Sequence, residues 1–217
     1  MADFGPQYYL SVTRNFIIDT QSNVVINRNV AILIFDDVEV LDFAGPFEVF
    51  SVTAEINGYQ FYNVYTVGET SGPIRAKNGL TVTPDYALSE APQADIFIIP
   101  GGDGSKQVIL NDVLMEQIKE RIEQSEHTFS VCSGARILAK LGYLDGLDVI
   151  THHEVIPDIE KLAPTAHINK GARYTDNGKI LTSAGVSAGI DLSFYLIKQL
   201  QDAGIAAKTA RYMEYLG

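Results

Sequence analysis

Between residues 29 and 35 the chain reads Asn29-Val30-Ala31-Ile32-Leu33-Ile34-Phe35, a near-continuous apolar run without the alternation of a half-solvated strand. A strand of this kind has to be buried on both faces, and parallel sheets covered by helices provide that burial. Asp95-Ile96-Phe97-Ile98-Ile99 repeats the pattern, and Tyr62 to Val67 and His127 to Val131 read as further strands. Helical stretches separate them: about Ala44 to Glu55, Asn111 to Gln124, a segment ending near Leu162, another ending near Gln201, and Ile205 to Tyr215. In the second of these, Val113, Met115, Ile118 and Ile122 are expected on one side. Such alternation predicts a doubly wound α/β sandwich with a mostly parallel sheet flanked by helices. Two antiparallel hairpins should interrupt it, one around Asn78-Gly79 and one turning at Asp176-Asn177-Gly178 between Ala172–Thr175 and Lys179–Thr182. Val149-Ile150-Thr151 reads as a short strand.

Residues 1–28 read as an extension before a main domain at 29–217. Tyr8–Val12 and Val24–Ile26 are candidate short strands there, separated by the polar stretch Asp19–Asn23. They suit a hairpin that covers a sheet edge or serves a dimer contact.

A net charge of −11 argues against a nucleic-acid partner, which would need a basic face. The single cysteine leaves no internal disulfide to require an oxidising compartment. No apolar stretch approaches membrane-spanning length, and Met1–Pro6 lacks the basic and apolar regions of a secretory signal. The expected location is cytoplasmic.

That cysteine carries the strongest chemical signal. Cys132 sits in Ser130-Val131-Cys132-Ser133-Gly134, after an apolar run and before the helical pattern Ala135–Gly142. Strand, tight turn and helix in this order form a nucleophile elbow, with sulfur where hydrolases carry serine. Small neighbours such as Ser130 and Gly134 fit the close backbone, and a helix N-terminus aimed at the sulfur favours thiolate. The competing reading is a buried core cysteine. Asp42 follows the first strand and Cys132 a later one, so both side chains belong at the crevice where parallel strands end. A carboxyl beside a thiolate has its pKa raised, which suits a proton donor; the same Asp42 could instead cap the helix after it. Pro100-Gly101-Gly102 ends another strand, where the Gly102 and Ser133 N–H groups could form an oxyanion-hole-like pair. His152 and His153 point to opposite faces of an extended chain, and no second ligand cluster accompanies them, so no metal and no cofactor is expected. Asp191 suits a cap or packing position at the start of its helix.

Five segments together resemble the ThiJ/PfpI superfamily, relatives of the class I glutamine amidotransferases. They are Val30–Phe35 with Leu41-Asp42-Phe43-Ala44-Gly45-Pro46, then Pro100-Gly101-Gly102, the elbow Ser130–Gly134, Thr151-His152, and Ser183-Ala184-Gly185-Val186-Ser187-Ala188-Gly189-Ile190-Asp191. The first and last are most similar to the branch that holds bacterial isonitrile hydratases and the sensor domains of certain AraC-type regulators. The resemblance spans residues 29 to about 215 and implies a flavodoxin-like sheet, a homodimer, and no cofactor. It implies Cys132, Asp42 and Ser133 as catalytic residues, with Gly101, Gly102 and His152 binding a small isocyanide substrate. Protease-like members carry histidine directly after the cysteine, where this chain has Ser133, so peptidase activity is not expected. Isonitrile hydratases usually carry threonine there; serine keeps the hydroxyl. The AraC-type regulators continue into a helix-turn-helix domain, which an acidic chain ending at Gly217 is not expected to be. Glyoxalases of the superfamily use a glutamate where Asp42 stands, which disfavours that activity. A non-catalytic sensor of small molecules or oxidants, acting through Cys132, is the other alternative.

Overall fold

In a computed structural model, residues 26–216 are described, together with the backbone of Ile17–Ile18 and Val24–Val25. The main strands are β1 (Arg28–Leu33), β2 (Tyr62–Gly68), β3 (Tyr86–Ala87), β4 (Ile96–Ile99), β5 (His127–Val131), β6 (Tyr174–Asn177) and β7 (Ile180–Ser183). They form one seven-stranded sheet in the order β6-β7-β5-β4-β1-β2-β3. Every neighbouring pair is parallel except β6 with β7. The apolar runs take the central places, and Val30, Ile32, Leu33 and Ile96 to Ile99 are fully buried.

The longer helices are α1 (Val40–Glu55), α2 (Asp112–Gln124), α3 (Ala135–Lys140), α4 (Ile156–Leu162), α5 (Ala188–Leu200) and α6 (Ala203–Tyr212), with one further helical turn at Ser105–Val108. Helices α1, α5 and α6 pack against one another, and α3 packs against α4. Helix α1 meets α5 closely because Gly45 has no Cβ: one placed there would lie 2.9 Å from Cγ1 of Ile190. Gly189 likewise seats α5 on Val131 and Pro46. No helix of the described residues is long and apolar enough to cross a membrane.

From β1 the chain winds outward to β2 and β3, then returns to the other side of β1 with β4 and continues to β5 and β7. The connections leaving β1 and β4 therefore diverge, and a crevice opens at the sheet's C-terminal edge at that switch point.

Both hairpins form. Ile74–Arg75 pairs with Thr81–Val82 around Asn78 and Gly79, which hold positive φ of 64° and 95°. In the other, Asn177 pairs with Ile180, so the turn is Gly178-Lys179, later than expected; Gly178 supplies φ 82°. Asp148–Val149 pairs with His167–Ile168 outside the main sheet.

Three boundaries differ from expectation. Helix α1 begins at Val40 rather than near Ala44, because Glu39 is already extended and Gly45-Pro46 is carried inside the helix. On α2, Val113 is 70% exposed and Leu114 is buried with Met115, Ile118 and Ile122. A residue five places before Ile118 lies well off the buried stripe of a 3.6-residue helix. The last helix starts at Ala203, where the Asp202 side chain accepts the Ile205 N–H at 2.9 Å, and ends at Tyr212. In the extension, Val24–Val25 pairs antiparallel with Ile17–Ile18 across the polar stretch. Tyr8–Val12 lies outside the described residues.

Candidate active site

Strand β5 delivers Cys132 to the C-terminal edge of the sheet, and the chain turns there with Cys132 at φ 56°. That is left-handed backbone, a strained place for a non-glycine residue and one often found at functional positions. Cys132 to Gly134 make a tight helical turn that runs into α3. Gly134 is required: a Cβ there would lie 2.1 Å from the carbonyl oxygen of Ile99. The Cys132 N–H donates to the Ala184 carbonyl at 3.2 Å, and Thr151 Oγ1 donates to the Cys132 carbonyl at 2.7 Å.

Helix α1 brings Asp42 to the same place. Its side chain is fully buried, and Oδ2 accepts the Gly101 N–H at 2.9 Å. Asp42 lies in the first turn of α1 and is not its N-cap; Glu39 holds that position without a side-chain bond. Oδ1 is buried without a hydrogen-bond partner among the described residues, and the Cys132 thiol lies near enough for the two groups to perturb each other's ionisation. Burial pushes the Asp42 carboxyl up to about 7; the Gly101 N–H pulls it back and the nearby Glu39 charge raises it. Burial, and then the Asp42 charge, push the Cys132 thiol up to about 11, against backbone N–H groups of Val186 and Ser133 that favour the thiolate.

The expectation of a free thiolate at the elbow is therefore corrected. Dipole and N–H donors do act on the sulfur, but desolvation outweighs them. Burial raises both groups and each raises the cost of ionising the other, so the pair holds on to a proton that the elbow alone would release.

Ser133 is fixed by the loop after β4. The Gly102 N–H donates to Ser133 Oγ at 2.8 Å, and Oγ lies 3.2 Å from the Gly102 carbonyl, which it can donate to in return. The oxyanion pair expected from Gly102 and Ser133 is thus not available, since the Gly102 N–H is already spent on a side chain. The donors at the sulfur are instead the N–H groups of Ser133 and Val186. Gly101 has to be glycine for all of this to fit, because its Cβ would lie 2.5 Å from the Ser133 nitrogen and 2.9 Å from Asp42 Oδ2.

Above the sulfur is a cavity of about 220 Å³ lined by Cys132, Ser133, Gly102, His152, Val155 and Val186 among others. His152 lies against Gly185, where a Cβ would come 2.2 Å from the imidazole, and its Nδ1 accepts the Glu154 N–H at 3.3 Å. It lines the cavity without a hydrogen bond to Cys132. His153 is exposed and its ring lies tilted against that of His152 with centroids 4.3 Å apart, so the two do not point to opposite faces as expected of an extended chain, because a tight helical turn begins at His153. Asp191 lies in the first turn of α5, where it binds Arg173 and the Tyr215 hydroxyl away from this cavity. Among the described residues no group of three or more His, Cys, Asp or Glu is placed to hold a metal ion.

Of the six expected site residues, Cys132, Ser133, Gly102 and His152 line the cavity, while Asp42 and Gly101 lie buried behind it, bonded to each other and next to the loop that holds Ser133. Sequence reasoning missed Val186, whose contribution is a backbone N–H, and the charged residues Arg136, Lys77 and Lys106 of the lining. Only Arg136 left a signal: an arginine inside the apolar stretch Ala135–Ala139.

Compared with known proteins, residues 28–199 match the DJ-1/PfpI family. The isonitrile hydratase of Pseudomonas putida is 25% identical over 189 residues, covering 86% of this chain and 78% of that protein. The HTH-type transcriptional regulator GbdR of Pseudomonas aeruginosa (strain UCBPP-PA14) is 26% identical over 193 residues, which is 87% of this chain and 52% of the regulator. The chain thus spans about half the length of that relative. Among solved structures, a ThiJ/PfpI family protein from Pseudomonas syringae superposes with a TM-score of 0.80 at 24% identity, covering 89% of this chain and 77% of that one.

Proposed function

The chain belongs to the DJ-1/PfpI family, and we propose that within it this protein hydrates an isonitrile to an N-substituted formamide. The observation that carries the reading is Asp42: a fully buried carboxyl, pushed up to about 7, beside the only thiol in the chain. A group that ionises near neutrality can both take and return a proton at working pH.

Asp42 as carboxylate takes the Cys132 proton while Sγ adds to the terminal carbon of the isonitrile, and then returns that proton to the same carbon. The product is a thioimidate, R–N=CH–S–Cys132. Asp42, again a carboxylate, takes a proton from water as the water oxygen attacks this carbon and passes it to the nitrogen, giving R–NH–CH(OH)–S–Cys132, whose hydroxyl proton then moves to sulfur through Asp42. Collapse breaks the C–S bond, releases R–NH–CHO and restores the thiol. One isonitrile and one water are consumed for each formamide. The Ser133 and Val186 N–H groups stabilise charge on sulfur during both transfers, and the Ser133 hydroxyl is a polar contact for substrate or water.

A second reading, a small-molecule sensor without turnover, is favoured by the likeness to a transcriptional regulator. Formamide production from cyclohexyl isocyanide and from isocyanoacetate separates the two. Hydration of either by the wild type, lost in Cys132→Ala and in Asp42→Ala, is the expected result. Binding of both without turnover would replace the hydratase by the sensor.

A further inference from the structure

Arg136 stands on α3 immediately beyond the elbow, and only 7% of it is exposed. A buried guanidinium has to be hydrogen-bonded, and here Nε donates to Asp158 at 2.6 Å and Nη1 to Ser105 Oγ at 3.0 Å. Ser105 Oγ in turn donates to the Gly102 carbonyl at 2.7 Å, which ties the arginine to the loop that holds Ser133. The guanidinium is thereby held rigid in the wall of the Cys132 cavity. These two bonds use only part of its donor fork, and among the described residues no other bond claims the rest.

The rest of the lining agrees with a charged ligand. Lys77 and Lys106 stand on the same cavity, and the carboxylates there are largely committed to them. Lys77 bridges Glu39 and Asp103 at 3.5 Å each, Lys106 reaches Asp103 at 3.4 Å, and Glu154 lies on the exposed rim. Val155 and Val186 supply the only aliphatic side chains of the lining. An apolar substituent would strip water from these charges and return nothing, whereas a carboxylate would meet a preset fork of donors.

We propose that Arg136 is a specificity-determining residue that binds a carboxylate on the substrate, so that the cavity accepts small anionic molecules in preference to neutral ones. For the reaction this means a carboxylate-bearing isocyanide, an inference that rests on Cys132 lying at the substrate site.

Alkylation of the single cysteine tests the preference without requiring hydration. Rates of Cys132 modification by iodoacetate and by its neutral isostere iodoacetamide are followed by intact mass, each divided by the rate of a neutral model thiol such as N-acetylcysteine amide. The iodoacetate-to-iodoacetamide ratio should exceed that of the model thiol in the wild type and fall roughly tenfold in Arg136→Met, the loss of one charge-assisted pair. Arg136→Lys, which keeps the charge but loses the fork, should give an intermediate ratio and guards against a misfolded methionine variant. A wild-type ratio at or below that of the model thiol, or one unchanged in folded variants, overturns the proposal whatever the enzyme hydrates. Turnover separates the two ideas: cyclohexyl isocyanide hydrated as well as isocyanoacetate sinks the specificity and leaves the hydratase, while a high alkylation ratio with neither isocyanide hydrated sinks the hydratase alone.

Discussion

In the proposed hydration, Asp42 is where stability is given up for chemistry. A carboxyl whose folded pKa lies above its ordinary value of 3.8 favours the folded state in full below that value, and the advantage is lost as pH rises through about 7. Raising it by about three units costs the ionised folded protein on the order of 4 kcal/mol, at ~1.4 kcal/mol per unit. Asp42→Asn removes the titration and keeps an acceptor for the Gly101 N–H. Its urea midpoint should therefore fall less than the wild type's between pH 5 and pH 8, with the variant the more stable at pH 8. Parallel curves would mean that Asp42 titrates normally in the folded protein. Turnover has the opposite sign. The productive form carries one proton on the Asp42–Cys132 pair, so kcat/KM should rise as pH passes about 7 and level off above it, before the thiol itself ionises. A flat profile from pH 5 to pH 9 would remove Asp42 from the proton transfers.

At the scale of elements, three pieces have to end within a few ångströms of one another: the first turn of α1, the loop after β4 and the turn after β5. Gly101 is the point where they touch. In Gly101→Ala the new methyl would press on the Ser133 nitrogen, Ser133 Oγ and Asp42 Oδ2 at once. Overpacking of this kind costs roughly 1–3 kcal/mol of stability, and the strain falls on the residues proposed to carry the reaction. The expected outcome is a folded protein, somewhat less stable by urea titration, whose kcat falls at least tenfold by the measure of a displaced catalytic pair. Activity close to wild type would show that the contact relaxes without moving the pair.

This crowding also explains what could and could not be read from the residues alone. The strands were legible because full burial writes itself as unbroken apolar runs, and the elbow because its turn admits only small neighbours. Asp42 and Cys132 are legible as neighbours because parallel strands end on one edge, whereas Ser133 joins them only through the family resemblance. The destination of each backbone N–H was not: the Gly102 N–H goes to Ser133 Oγ and the Val186 N–H to the sulfur, and neither choice depends on its own side chain. The upward push on the Cys132 thiol is not legible for a related reason, since dipole and donors are visible in the local sequence while the depth of burial comes from the whole sheet. The start of helix α1 is hard to place from the residues because Gly45-Pro46 reads as a boundary, yet both residues lie inside the helix where α5 packs closest.

For the whole molecule, the position of the site makes its geometry depend on the middle of the sheet. Strand β4 lies between β1 and β5, and the connections that hold Asp42, Gly101 and Cys132 leave the ends of these three neighbours. Phe97 is among the largest fully buried side chains and sits in β4 opposite Ala31 of β1 and Thr128 of β5. Phe97→Ala should cost roughly 3–5 kcal/mol, the usual price of an aromatic cavity at a site that cannot collapse. Tyr86, on the edge strand β3 and 40% exposed, should lose much less when cut to alanine, because water already covers part of it. In urea the Phe97 variant should show a lower midpoint with an unchanged slope, as one cooperative unit unfolds. Activity per folded molecule should fall as well, because a cavity beneath β4 loosens the strand that sets the height of Gly101 over Asp42. If turnover by the folded fraction stayed at the wild-type rate, the loops would be holding the pair without help from the sheet.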